Sequence, residues 1–161
     1  MEEIVFLNGK FLPIKEAKIS ISEPAILLGF GVFETMRSYN GRIVYLGQHL
    51  KRIKEACKLV GMEFPYPLSE LKDAIKRTIK INNFKDAYVR LTLLKAKKGT
   101  DTLIIVKKYK SYSLQKYKNG FRACVSLFRK NENSLFARLK TTSYIFYRLA
   151  YMRAKERGFD E

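Results

Sequence analysis

The stretch Gly31-Val32-Phe33-Glu34-Thr35-Met36-Arg37-Ser38-Tyr39-Asn40-Gly41-Arg42-Ile43-Val44-Tyr45-Leu46 decides how this chain folds. Asn40-Gly41 supplies adjacent residues that tolerate positive φ, the requirement of a tight hairpin turn. On either side of it, Val32–Tyr39 and Arg42–Leu46 are rich in β-branched and aromatic residues, which suit a half-buried pleated surface. From Leu46 the period changes. Leu46, Leu50, Ile53, Cys57 and Val60 recur at helical spacing and Gly61 is a suitable stop, so an amphipathic helix follows the hairpin directly.

The same alternation extends outward. Asn8-Gly9 between Ile4–Leu7 and Lys10–Leu12 signals a first hairpin. Pro65 and Pro67 punctuate a loop before a second helix, capped by Ser69 or a neighbour, whose buried stripe is Leu71, Ala74, Ile75, Thr78 and Ile79. Strands are then expected over Ala87–Lys95, Thr102–Tyr109 and Phe121–Phe128, with Lys97-Lys98-Gly99 and Lys118-Asn119-Gly120 between them. A third helix is expected over Thr142–Arg157, ending before Gly158, with Phe159-Asp160-Glu161 reading as the start of another strand. The fold class is α+β, a mainly antiparallel sheet with helices on one face.

Composition bounds the function. At 161 residues, 47% of them apolar and 13% aromatic, the chain can bury a core without disulfides. Cys57 and Cys124 stand far apart and form no zinc or redox motif, which predicts small buried residues in a reducing compartment. No apolar run approaches the roughly 20 residues of a membrane span, and the acidic Met1-Glu2-Glu3 start is unlike a signal peptide, so the expected location is the cytoplasm. Residues 1–50 carry five charges of each sign, so the entire net charge of +17 falls in residues 51–161, with 27 basic against 10 acidic residues. Such a field favours anionic partners: nucleic acid, a phosphorylated cofactor or an acidic subunit.

Three constellations could carry chemistry. Gly29-Phe30-Gly31 precedes a strand and lacks a third glycine, which excludes a dinucleotide fingerprint and points to a sharp turn or a close backbone approach. His49 and Arg52 share a helix face, where a partly buried guanidinium needs an anion and phosphate suits its fork; His49 has no cysteine or carboxylate companions for a metal. Lys140 precedes Thr141-Thr142-Ser143, a run able to cap the following helix. A lysine held at that positive helix end is expected to have a depressed pKa and act as an amine nucleophile. Spacing alone leaves each of these open to a purely structural reading.

Taken together, three segments resemble the fold-type IV pyridoxal-phosphate enzymes, the class IV aminotransferase family. They are Asn8-Gly9-Lys10 with Leu28–Arg37 and Tyr39-Asn40-Gly41; Leu46 with His49-Leu50-Lys51-Arg52-Ile53; and Leu139–Tyr144 with Ala154–Glu161. The resemblance implies an N-terminal α+β domain over residues 1–118 and the start of a C-terminal cofactor-binding domain over 119–161. It implies Lys140 as the Schiff-base lysine for pyridoxal 5'-phosphate and Arg52 as the ligand of its phosphate. Thr35, Arg90 and Lys95 would lie toward the substrate.

Within the family, the wording of Gly31–Arg37 and of Lys140–Tyr144 is most similar to aminodeoxychorismate lyase, which releases pyruvate to leave 4-aminobenzoate for folate synthesis. The alternatives are a branched-chain or D-amino-acid aminotransferase. The expected partners are a small anionic amino-acid-like substrate and a second copy of the chain. Relatives continue for about another hundred residues in this resemblance, supplying the carboxylate that faces the pyridine nitrogen, so a truncated chain with weak cofactor occupancy is expected. Two readings outside the enzyme class remain: an inactive remnant that only dimerises, and a basic nucleic-acid-binding module in which Tyr88, Tyr109, Tyr112 and Tyr117 offer stacking platforms.

Overall fold

The computed structural model describes residues 2–161, which form two compact units. The first comprises the chain up to Tyr109 together with Lys140–Thr142, and the second comprises Lys110–Leu139 and Ser143–Glu161.

The first unit is built on a six-stranded antiparallel sheet in the order β2-β1-β6-β5-β3-β4. Its elements are β1 (Ile4–Leu7), β2 (Lys10–Pro13), the short helix α1 (Pro24–Leu27), β3 (Gly31–Tyr39), β4 (Arg42–Ile43), α2 (Leu46–Leu59), α3 (Leu68–Ile81), β5 (Ala87–Lys95) and β6 (Thr100–Lys108). Both Asn-Gly turns form as read, with Asn8, Gly9, Asn40 and Gly41 all at positive φ. β4 is shorter than its sequence signal, because Leu46 and the residues after it are drawn into α2.

Strand parity assigns the two faces. Val32, Glu34, Met36 and Ser38 of β3 align with Leu93, Leu91, Val89 and Ala87 of β5, and these with Thr102, Ile104 and Val106 of β6. All eleven are buried, and this is the face that α2 and α3 cover. Leu50 and Ile53 of α2 and Leu71 and Ile75 of α3 are fully enclosed, each side chain contributing about 1.5–3 kcal/mol by leaving water. Asn82, just past α3, accepts from Ile4 N at 2.9 Å and donates to Ile4 O at 2.7 Å, fastening the helix to β1. The opposite parity carries Phe33, Thr35 and Arg37, paired with Thr92, Arg90 and Tyr88.

The second unit contains α4 (Leu114–Asn119), a 3₁₀ turn at Leu135–Ala137, and α5 (Ile145–Glu156). Here the sequence reading needs correction. Phe121–Phe128 enters no regular ladder among the described residues; it makes an isolated exchange of the parallel kind, in which Glu161 N–H donates to Arg122 O and Cys124 N–H to Glu161 O. Helix α4 went unread, although Ser113 caps it through Lys116 N. The third expected helix starts at Ile145 rather than Thr142, since Thr141 and Thr142 are engaged with β3 instead. Cys57 is buried as expected, whereas Cys124 is only partly so.

Candidate active site

The site is organised at the free edge of β3. Lys140–Thr142 runs antiparallel to Gly31–Phe33: Val32 bridges Thr141, Phe33 N–H donates to Lys140 O at 2.9 Å, and Thr142 N–H donates to Gly31 O at 2.9 Å. The Thr142 hydroxyl adds a bond to Gly29 O at 2.6 Å. Gly31 is what permits this approach. A Cβ there would lie 2.8 Å from Leu93 O and 2.9 Å from the Thr142 Oγ1, so the close backbone contact expected of the Gly29-Phe30-Gly31 run is present.

Because paired residues project to the same face of a sheet, the pairing sets Lys140 beside Phe33. The Lys140 Nζ lies 5.6 Å from the Phe33 ring centroid, and the Arg90 guanidinium lies 3.8 Å from the same centroid. Arg90 Nε donates to Thr92 Oγ1 at 3.2 Å, and Thr35 stands opposite Arg90 in register. Half-buried Leu103 and Ile105 of β6 extend this face with apolar surface. Arg37 continues it the other way, its guanidinium held between Tyr39 at 4.1 Å and Tyr109 at 3.6 Å.

Arg52 approaches the same strand from the helix-covered side. It grips the buried carboxylate of Glu34, with Nε on Oε1 at 2.5 Å and Nη2 on Oε2 at 2.6 Å, while His49 Nδ1 meets Oε2 at 2.8 Å. The bond to Glu34 raises the guanidinium pKa further. The shared face expected of His49 and Arg52 is therefore real, and the anion it meets in this chain is Glu34.

Lys140, Thr35 and Arg90 thus share one face, and Arg52 reaches β3 from the other. Lys95 has the parity opposite to Arg90 and lies at the far end of β5, where its N–H donates to Phe30 O at 2.9 Å. Lys140 does not stand at the start of a helix: α5 begins only at Ile145, with Tyr144 at its N-cap position. Lys140 is exposed. Glu34 and Phe33 were missed as site residues, although an acidic side chain on the core parity of a strand, with two basic residues three apart on the next helix, is a readable signal. A phosphorylated aldehyde would find a primary amine, Lys140, on one side of the strand edge and, on the other, the Arg52 guanidinium, whose Nη1 meets no acceptor among the described residues.

Comparison with known proteins adds the decisive observation. A profile of the family described as amino-transferase class IV matches residues 31–161. The chain belongs to this family. It is 31% identical to a putative branched-chain-amino-acid aminotransferase of Methanocaldococcus jannaschii over 98% of its own length and 57% of that protein's. A D-alanine aminotransferase of Staphylococcus haemolyticus is 29% identical over 55% of this chain. Among solved structures, a T.th. branched-chain amino acid aminotransferase with pyridoxamine 5'-phosphate superposes with a TM-score of 0.93 at 27% identity, covering 100% of this chain and 58% of that one. The branched-chain aminotransferase of Thermoproteus uzoniensis with norvaline gives 0.88 at 28%, covering 59% of that chain. This class IV chain therefore spans a little over half the length of the branched-chain relatives and about a third of the D-alanine aminotransferase. Their names correct the preference among branches: they favour the aminotransferase alternative over the lyase, and with it drops the link to folate synthesis.

Proposed function

We propose that this chain carries the N-terminal part of a pyridoxal-phosphate-dependent aminotransferase acting on branched-chain amino acids, with Lys140 as the amine that joins the cofactor. The observation that carries the reading is the pairing of Lys140–Thr142 with the edge of β3, which sets an exposed amine beside Phe33, the ring that Arg90 also covers, with Thr35 opposite Arg90 in register. The branched-chain class is favoured over D-alanine because that likeness runs the length of the chain, whereas the D-alanine likeness covers about half. Residues 119–161 are then the beginning of a cofactor-binding domain, and the working form is a homodimer.

In this reading each side chain has a task set by its chemistry. When bound, pyridoxal phosphate supplies an aldehyde and an electron-withdrawing ring. Lys140 would hold the cofactor through its amine and, once released from it, would carry a proton to and from the substrate Cα. Arg52 presents its free guanidinium end to the phosphate. Arg90 offers a cation to the substrate carboxylate beside the hydroxyl of Thr35, and Leu103 and Ile105 face an aliphatic side chain. The Phe33 ring lies beside the amine and carries the Arg90 guanidinium over its face.

The test is covalent trapping. Incubation with pyridoxal phosphate followed by borohydride should add the reduced cofactor to the peptide containing Lys140, and Lys140→Ala should abolish the adduct. Labelling at scattered lysines, undiminished in that variant, would overturn the assignment. Transamination of leucine, isoleucine or valine with 2-oxoglutarate, compared with D-alanine, decides the substrate class.

A further inference from the structure

Glu34 is 1% exposed, on a strand whose neighbours of the same parity are Val32, Met36 and Ser38. A carboxylate is tolerated there only when fully paired. Both oxygens are in fact taken, Oε1 by Arg52 Nε and Oε2 by Arg52 Nη2 and His49 Nδ1. This fork holds the guanidinium by its Nε/Nη2 edge and fixes the plane of a side chain that is 56% exposed. The Nη1 end is left over, and among the described residues no acceptor engages it.

We propose that Glu34 is a positioning residue: it aims the Nη1 end of Arg52 at the phosphate of a phosphorylated aldehyde, with His49 holding the carboxylate in place. The inference rests on the reading of Arg52 as phosphate anchor given above. Two effects of Glu34 oppose each other. Its charge partly cancels that of Arg52, which weakens attraction for a phosphate; its fork removes the freedom of a long flexible stem, which strengthens it. The Arg52 side chain is more than half exposed, so solvent and salt screen the first effect and not the second. Geometry therefore prevails.

The experiment compares the dissociation constants of pyridoxal phosphate and of pyridoxal, whose ratio isolates the phosphate contribution. In Glu34→Gln, which removes charge and fork together, and in Glu34→Asp, which keeps the charge and withdraws the reach, the ratio should fall about tenfold, as for other groups that orient a ligand's direct partner. The affinity for pyridoxal itself should not move, because Lys140 lies on the other face of the strand. A ratio unchanged or raised in either variant, or failure of both variants to fold, overturns the proposal and makes Glu34 a structural counter-ion only. If the wild type captures neither aldehyde, the Lys140 reading fails instead. Titration with inorganic phosphate followed by ³¹P NMR then decides Glu34 separately: about tenfold weaker binding in Glu34→Gln supports it, and equal or absent binding overturns it.

Discussion

Replacing Gly31 by alanine adds a single methyl group at the point where three segments converge. The new Cβ would stand 2.8 Å from Leu93 O, 2.9 Å from Leu94 Cδ2 and 2.9 Å from Thr142 Oγ1. The first of these is backbone in the central strand β5 and cannot move without disturbing the ladder, whose register runs unbroken from Gly31↔Leu94 to Ser38↔Ala87. The segment that can yield is Lys140–Thr142. Overpacking of this kind costs about 1–3 kcal/mol, which for a chain of this size lowers the melting temperature by roughly 2–12 °C. Relief by displacing Thr142 would break its bonds to Gly31 O and Gly29 O and carry Lys140 away from Phe33.

Thermal unfolding followed by circular dichroism reads the stability, and borohydride trapping of Lys140 reads the displacement. Gly47→Ala is the control: that glycine lies inside α2, an added methyl meets nothing within 4 Å, and the change should be neutral or stabilising by up to about 1 kcal/mol. Equal melting temperatures for Gly31→Ala and the wild type would refute the close approach, and with it the seating of Lys140.

The two cysteines and the Asp160 side chain give further checks. Burial pushes the Cys57 thiol up to about 11 from its ordinary 9.0, so in native protein at neutral pH a thiol reagent should modify the partly exposed Cys124 well before Cys57; simultaneous modification would contradict the packing of α2. The raised value also fixes a sign. The unfolded thiol loses its proton first, so this group's contribution to stability is intact below about 9 and is lost as pH climbs toward about 11, an effect that Cys57→Ala should remove from the alkaline limb of a stability profile. Asp160 is displaced the other way, lowered to about 2 chiefly by its bond with Lys116 and then by Arg122 N–H. Its contribution is present above the usual 3.8 and disappears as pH falls toward about 2; Asp160→Asn should flatten the acid response of amide protection at Arg122 and in α4, and an unaltered response would count against the clamp.

The elements were legible wherever the signal is local. Asn8-Gly9 and Asn40-Gly41 mark their turns because few other residues accept positive φ in succession. The stripes Leu50-Ile53-Cys57 and Leu71-Ile75-Ile79 mark α2 and α3 because a helix repeats its face every three or four residues. Phe121–Phe128 misled for the complementary reason: alternation shows that a segment could pair, but pairing needs a neighbouring backbone in register, and among the described residues this segment joins no regular ladder. Thr141 and Thr142 misled similarly. Their side chains suit a helix cap, but the open edge of β3 offers them a bridge and a carbonyl, and that long-range pairing takes precedence over the local preference.

The family and the order of the elements were legible in the sequence by itself, since the motifs that carry the resemblance rest on residue type and on spacing along the chain, and the same resemblance is what proposes Lys140 as the amine. The tertiary structure decided which face each side chain uses: Lys140 with Phe33 and Arg90 on one side of β3, Arg52 with Glu34 and His49 on the other, and Lys95 apart from them. Such choices depend on strand register between segments about a hundred residues apart. A shift of one residue would exchange every face while leaving the sequence pattern unchanged.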